Sequence, residues 1–395
     1  RTDSIELRAT SSCDGAINWV AGVSYMRETL ENAGGDNIGL WAVNGGNPVV
    51  GGTTKPAYLF YASNRIESVG LFANAFWDIR DWLHLSAGTR YSVERNRIGD
   101  NFVFDIADMN LTLPALADSD YRRSKISRFS PRLALNMDLD DTVTSYLQYS
   151  TGYRAGYGND AQSVGVGAPA EVDPEKLDNY EVGVKGRFFG GILNANASLF
   201  YMDYRNLQVE ALIDPALNPY PFNIYYDLNA GKAHTKGFEL EAELRPLAEV
   251  SLHAAVGYTK AIVDEVSIDG APYSNIAIPN VRPWTVSLGA AYMPALTDTL
   301  TGDFRIDYTF QDRIYWQGIL PDPAYYLPSY QTVDVSAGVR GDGWSATLYF
   351  DNVLNEKYYT SIGWVDVGYR GRMVYTPPRR FGLRLTSTLD ALTGR

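Results

Sequence analysis

Apolar and polar residues alternate with a period of two along nearly the whole chain. In 83–94, Leu83, Leu85, Ala87, Thr89, Tyr91 and Val93 share one face; His84, Ser86, Gly88, Arg90, Ser92 and Glu94 share the other. In 238–245, Phe238, Leu240, Ala242 and Leu244 oppose Glu239, Glu241, Glu243 and Arg245. In 304–311, Phe304, Ile306, Tyr308 and Phe310 oppose Arg305, Asp307, Thr309 and Gln311. A period of two belongs to strands with one apolar and one polar face. No stretch shows a comparable 3.6-residue period. About fifteen strands are predicted, near 4–10, 17–28, 67–78, 82–96, 126–138, 143–153, 178–188, 193–205, 232–245, 250–260, 281–293, 299–312, 331–340, 344–355 and 378–388.

The connections narrow the choice of fold. Short links (78–81, 138–141, 189–191, 246–249, 341–343) alternate with long ones (29–66, 97–125, 154–177, 206–231, 261–280, 313–330, 356–377). A soluble sandwich or propeller also alternates in polarity. Three features favour a membrane barrel: the strands are long, short and long links alternate, and aromatics gather at strand ends. Examples are Phe76, Trp77, Trp82, Trp284, Tyr292 and Trp344. The short links then face the periplasm and the long loops face outward. No run nears the roughly 20 apolar residues of a membrane helix, so a membrane-crossing form of this chain is a barrel. The 395 residues suit a single barrel domain. Tyr (28) and Gly (36) are abundant, as β structure favours, and a net charge of −12 argues against nucleic-acid binding. Cys13 is the only cysteine, which excludes an intrachain disulfide and a Cys-rich metal site.

Bacterial single-chain barrels have even strand numbers. An odd count with the last strand ending at the periplasm puts Arg1 at the outer end. The expectation is therefore a C-terminal part of a longer chain. The alternative is a missed strand within 38–50 and a barrel of about sixteen strands. No leader pattern precedes the first strand.

Several stretches carry a family resemblance. DNVLNEKYY (351–359) is a strand ending in an Asn-rich turn followed by a Tyr pair. SRFSPRLALNMDLDDTVTSYLQYSTGYRAG (127–156) pairs two strands around a short turn. PEKLDNYEVGVKGRFFGGILNANASLFYMDYRNLQ (174–208), NAGKAHTKGFELEAELRP (229–246) and PPRRFGLRL (377–385) follow in order. Together they resemble the barrel of TonB-dependent outer-membrane receptors, through nearly the whole chain. One departure is the run STLDALTGR after the last strand, where the family usually ends on an aromatic. The resemblance implies an all-β, transmembrane antiparallel barrel of 22 strands, with about fifteen of them present. A plug domain carrying the TonB box would precede it and is absent from this chain.

The resemblance also implies a function. The whole protein would be a monomeric receptor in the outer membrane of a Gram-negative bacterium, embedded in outer-membrane lipid. It would import a scarce ligand, most plausibly a ferric siderophore, with energy from the TonB complex acting through the plug. Haem, vitamin B12 and oligosaccharide importers share the architecture. The alternative is a passive porin of about sixteen strands. No cofactor, resident metal or enzymatic activity is expected.

Candidate ligand residues lie where strands meet long loops. They are Tyr153, Arg154, Tyr157, Tyr315, Trp316, Trp364 and Arg370, with Tyr325 and Tyr326 of similar kind. Arg forms bidentate pairs with carboxylate-like groups and Tyr offers a flat face with a hydroxyl. Loop packing is the competing role. Arg90, Glu181, Lys185, Glu239, Glu241 and Glu243 are expected on the inner wall, facing a plug or simply solvating the lumen. His84 and His253 fall near short turns. His234 lies near the outer rim without an evident nucleophile, which argues against a hydrolase. Asp100, Asp105, Asp108, Asp118 and Asp120 lack a regular calcium-ligand spacing.

Overall fold

The computed structural model describes residues 1–36, 58–104, 121–214, 216–218, 224–268, 271–316, 326–362 and 373–388. One antiparallel sheet dominates. Its wall begins with β1 (Thr2–Thr10), β2 (Ile17–Asp36), β3 (Tyr58–Arg80), β4 (Leu83–Phe104), β5 (Tyr121–Asp140) and β6 (Val143–Arg154). Nine further wall strands follow in chain order: Glu175–Phe188, Leu193–Arg205, Lys232–Leu247, Val250–Ile268, Trp284–Tyr292, Thr301–Gln311, Tyr330–Gly341, Trp344–Asp351 and Arg380–Ser387. Each pairs with the one before it. These are the fifteen strands that the alternation predicts.

The register keeps the apolar face continuous. Leu7 opposes Val23, Val23 opposes Leu71, and Leu71 opposes Tyr91. Farther along, Leu199 opposes Phe238, Ala254 opposes Leu288, and Leu348 opposes Leu383. This face is uncovered: Leu71 is 58%, Leu199 60% and Leu383 59% exposed. A soluble sandwich would bury it, so the wall is built for an apolar surrounding. Trp77, Trp82, Tyr292 and Trp344 mark its short-turn end. Phe238, Tyr258 and Trp284 cluster at the other, with the Tyr258 and Trp284 rings 4.7 Å apart.

Most buried apolar side chains lie in the loops. Leu207, Val209, Ile224, Leu228, Val263 and Ile276 form one core at the long-loop end. It is built from a hairpin, Gln208–Leu212 with Tyr225–Asn229, and from Ala271–Ala277, which pairs with the loop end of Val250–Ile268. Ala271–Ala277 is the sheet's sixteenth strand and occupies a region where the alternation predicts only loop. The 38–50 segment suggested for an extra strand lies outside the described residues. Several strands are longer than predicted, mostly at the loop end, although β3 and β5 also gain two residues at the short-turn end. β3 starts at Tyr58 and β4 runs to Phe104. Their extensions, YLFYASNRI (58–66) and RIGDNFVF (97–104), mix polar and apolar residues at both odd and even positions and so lose the alternation.

Among the described residues, β1 pairs only with β2, and Arg380–Ser387 pairs only with Trp344–Asp351. Both outer edges therefore lack partners. No helix among them is long and apolar enough to cross a membrane.

Candidate ligand-binding mouth and inner wall

The polar face forms the inner wall. A concavity of about 460 Å³ opens on it, lined by Arg132, Gln148, Glu181, Lys185, Glu239 and Glu241 among others. Arg132 donates to Gln148 Oε1 at 2.7 Å, and the Tyr146 hydroxyl donates to Glu181 at 2.6 Å. The register places Ser198 against Glu239 and Asn196 against Glu241. Four of the six predicted inner-wall residues thus meet in one patch. Arg90 sits elsewhere on the wall, donating to Ser92 Oγ and Ser24 Oγ at 2.9 and 2.8 Å. Glu243 lies toward the short turns and pairs with Arg245 at 2.7 Å.

At the loop end, the 155–174 segment folds against the inner face of β4 and β5. The contacts leave a cavity of about 350 Å³ lined by Asn96, Arg122, Ser124, Arg128, Tyr157 and Asp173 among others. Asn96 Nδ2 donates to the Gly156 carbonyl at 3.3 Å, while its buried Oδ1 has no hydrogen-bond partner. Arg122 pairs with Asp100, whose other oxygen accepts from the Ala161 N–H at 2.7 Å. Asp160 caps the short helix Ala161–Gly165 by accepting from Ser163 N–H at 2.7 Å.

Three side-chain amides hold this segment to its neighbours. Asn159 donates to the Pro169 and Asp227 carbonyls at 2.8 and 2.7 Å and accepts from Asp227 N–H at 2.8 Å. Gln208 donates to the Ala155 and Asp173 carbonyls at 3.0 and 2.9 Å. Asn229 donates to Asp173 and Asn206 carbonyls, both at 2.9 Å. Such bonds satisfy loop backbone that would otherwise need water. The mouth is therefore a built surface.

The predicted loop residues separate into groups. Arg154 and Tyr157 meet at the mouth, with the guanidinium 5.8 Å from the ring centre. Burial, with Asp227 nearby, raises the Tyr157 hydroxyl well above the usual tyrosine range, so it stays protonated. Tyr153 is one residue away and on the opposite, outward face of β6, by its register with Lys176. Tyr315 is buried with its ring centre 5.1 Å from that of Tyr326, and Trp316 packs against Ile314 and Leu327. Trp364, Arg370 and Tyr325 lie outside the described residues. Asn96, Arg122, Arg128 and the three amides were not singled out by sequence. The run YRRSKISR (121–128) holds four cations that could have drawn attention, but only register shows which of them face inward.

The histidines engage carboxylates. His84 bridges Asp78 and Asp138 at 2.7 and 3.1 Å, and His234 sits 2.8 Å from Asp264. Among the described residues, no group of three or more His, Cys, Asp or Glu is placed to hold a metal ion. Asp105, Asp108, Asp118 and Asp120 lie outside them.

An uncovered apolar band, a polar inner wall and packed loops at one end define the wall and mouth of a membrane barrel. A family model described as TonB dependent receptor-like, beta-barrel matches residues 3–353, and the chain belongs to that family. Its members are transport receptors. The ferric-pyoverdine M114 receptor PbuA of Pseudomonas sp. (strain M114) is 25% identical over 326 residues, 76% of this chain and 36% of that protein. The ferripyoverdine receptor of Pseudomonas aeruginosa is 26% identical over 319 residues, 77% of this chain and 34% of that one. The crystal structure of the ferric yersiniabactin uptake receptor FyuA from Yersinia pestis shares the fold, with a TM-score of 0.70 at 19% identity. That match covers 98% of this chain and 54% of FyuA. The chain thus spans little more than a third of the curated relatives' length.

Proposed function

We propose that this chain supplies wall and outer loops to an outer-membrane receptor that imports a ferric siderophore. The observation that carries the reading is family membership joined to a cationic, aromatic mouth. Arg122, Arg128, Arg154 and Tyr157 there suit a chelate with anionic oxygens and flat rings. Relatives named for ferric pyoverdine support this ligand class. The remaining strands, the plug and its TonB box would come from chain beyond this segment. TonB would then act on the plug, and one copy would make one barrel.

The test is uptake of ferric pyoverdine and ferric yersiniabactin, labelled with radioactive iron, by cells with and without the gene. Uptake of at least one should need the gene and stop when an uncoupler collapses the proton gradient. Gene-dependent ion leakage with no energised uptake would put a passive porin in its place.

A further inference from the structure

The outward face of β2–β5 carries a charge pattern that ligand uptake does not use. Tyr25, Val69, Val93 and Ser127 form one outward row across these four strands. The next outward row toward the loops is Arg27, Glu67, Arg95 and Lys125. The one after is Thr29, Arg65, Arg97 and Arg123. Six cations thus face one carboxylate, on a chain of net charge −12. Arg65 pairs with Glu67, and Arg97 lies 3.8 Å from the Tyr121 ring centre. Arg95, Arg123 and Lys125 are exposed. A groove of about 400 Å³ runs among Arg65, Glu67, Arg95, Arg97, Arg123 and Lys125.

Height in the membrane decides what can reach this patch. On β4 the outward face from Leu83 to Val93 is apolar or weakly polar. About ten residue steps of ~3.3 Å, tilted by ~40°, rise roughly 25 Å, the height of a barrel's apolar band. Arg95 and its row follow immediately, at the level of lipid headgroups. The excess is local. Beyond Tyr180 and Tyr201, the matching two outward rows of the Glu175–Phe188 and Leu193–Arg205 strands set Asp178 against Asp203 and then Lys176 against Arg205, which balance. Strands ~4.8 Å apart, with outward positions every ~6.7 Å, place several cations within reach of one polyanionic headgroup. The guanidinium fork matches phosphate oxygens.

We propose that this patch binds the phosphates of an outer-leaflet glycolipid and holds that lipid against β3–β5. The inference rests on the membrane reading of the wall and is independent of which ligand is imported. The full-length protein would be placed in nanodiscs of zwitterionic phosphatidylcholine and titrated with lipid A or with dephosphorylated lipid A. Retention would be counted by native mass spectrometry. Lipid A should bind at least tenfold more tightly, and rising salt should weaken it. The triple variant Arg95→Ser, Arg123→Ser, Lys125→Ser should bind it about a hundredfold more weakly while its retention of dephosphorylated lipid A stays unchanged. The single Lys125→Gln variant should show a smaller loss in the same direction if the triple variant fails to insert. Equal retention of both lipids would overturn the proposal. So would an unchanged triple variant, or full displacement of lipid A by inorganic phosphate, which would make this a free-phosphate site. Failure of siderophore binding by the wild type would sink the import reading and leave this one standing.

Discussion

Asn352 shapes the turn in DNVLNEKYYT (351–360). It ends the Trp344–Asp351 strand with φ of 52°, a left-handed conformation that Asn tolerates better than most residues. Its buried side chain accepts from Glu356 N–H at 2.9 Å and donates to the Glu356 carbonyl at 2.8 Å, closing the turn. Tyr358 then stacks on Tyr330 with ring centres 3.7 Å apart, so the aromatic pair anchors the chain leaving the turn. Asn352→Ala should cost about 2 kcal/mol, because buried backbone groups lose their partner; urea unfolding of the inserted protein would measure it. A second test uses Asp140, whose Oδ1 accepts from Thr142 N–H, the Thr142 hydroxyl and Val143 N–H at 2.7, 2.8 and 2.9 Å. These bonds, the Thr142 backbone first, hold its carboxyl below the usual aspartate value. The stabilisation is therefore complete above the unfolded pKa and disappears as pH falls through the folded one. Wild type and Asp140→Asn should differ in urea midpoint at neutral pH and converge in strong acid. At the mouth, Arg154→Ala should weaken ferric-siderophore binding roughly tenfold or more if it contacts anionic oxygens; titration of the purified receptor would show it. The turn at Asn352 was legible from its residue types. Its partner Glu356 was not, because Asn, Asp and Glu in a loop offer too many pairings.

At the scale of the element, alternation identified every wall strand because lipid and lumen impose opposite demands on successive residues. The same rule predicts opposite outcomes for neighbours on Lys232–Leu247. Leu240 sits near the middle of the apolar face, between Ala197 and Val256. Leu240→Arg should destabilise the inserted barrel by about 2–4 kcal/mol. Glu239→Gln, one residue away on the inner wall, should change it far less. Unfolding from vesicles would compare the two, and equal losses would contradict the assignment of faces. Strand ends toward the loops were read short because the alternation fades there, as Asn64 and Arg65 on successive positions of β3 illustrate. The Gln208–Leu212 hairpin was missed for a related reason: its apolar residues pack against Val263 and Ile276 on another loop. Short local sequence does not encode that contact. The mouth was legible only in part. Arg154 and Tyr157 stood out as a motif, whereas Arg122 and Arg128 needed the register of β4 and β5 to be placed inside.

The whole molecule is a wall with two unpartnered edges among its described residues. Unpaired strand edges in hydrocarbon are expensive, each orphaned backbone group costing several kcal/mol. In the proposed receptor, further strands of a longer chain would pair with these edges and enclose a plug. The polar patch around Glu181, Lys185 and Glu239 would then face that plug or the water around it. The most direct measurement is the intact mass of the native protein isolated from outer membranes. The account predicts a mass far above the 43.8 kDa of this chain, with room for a plug and the remaining strands. A mass near 43.8 kDa would mean that this chain closes its own barrel, and the plugged, energy-driven importer would give way to a passive pore.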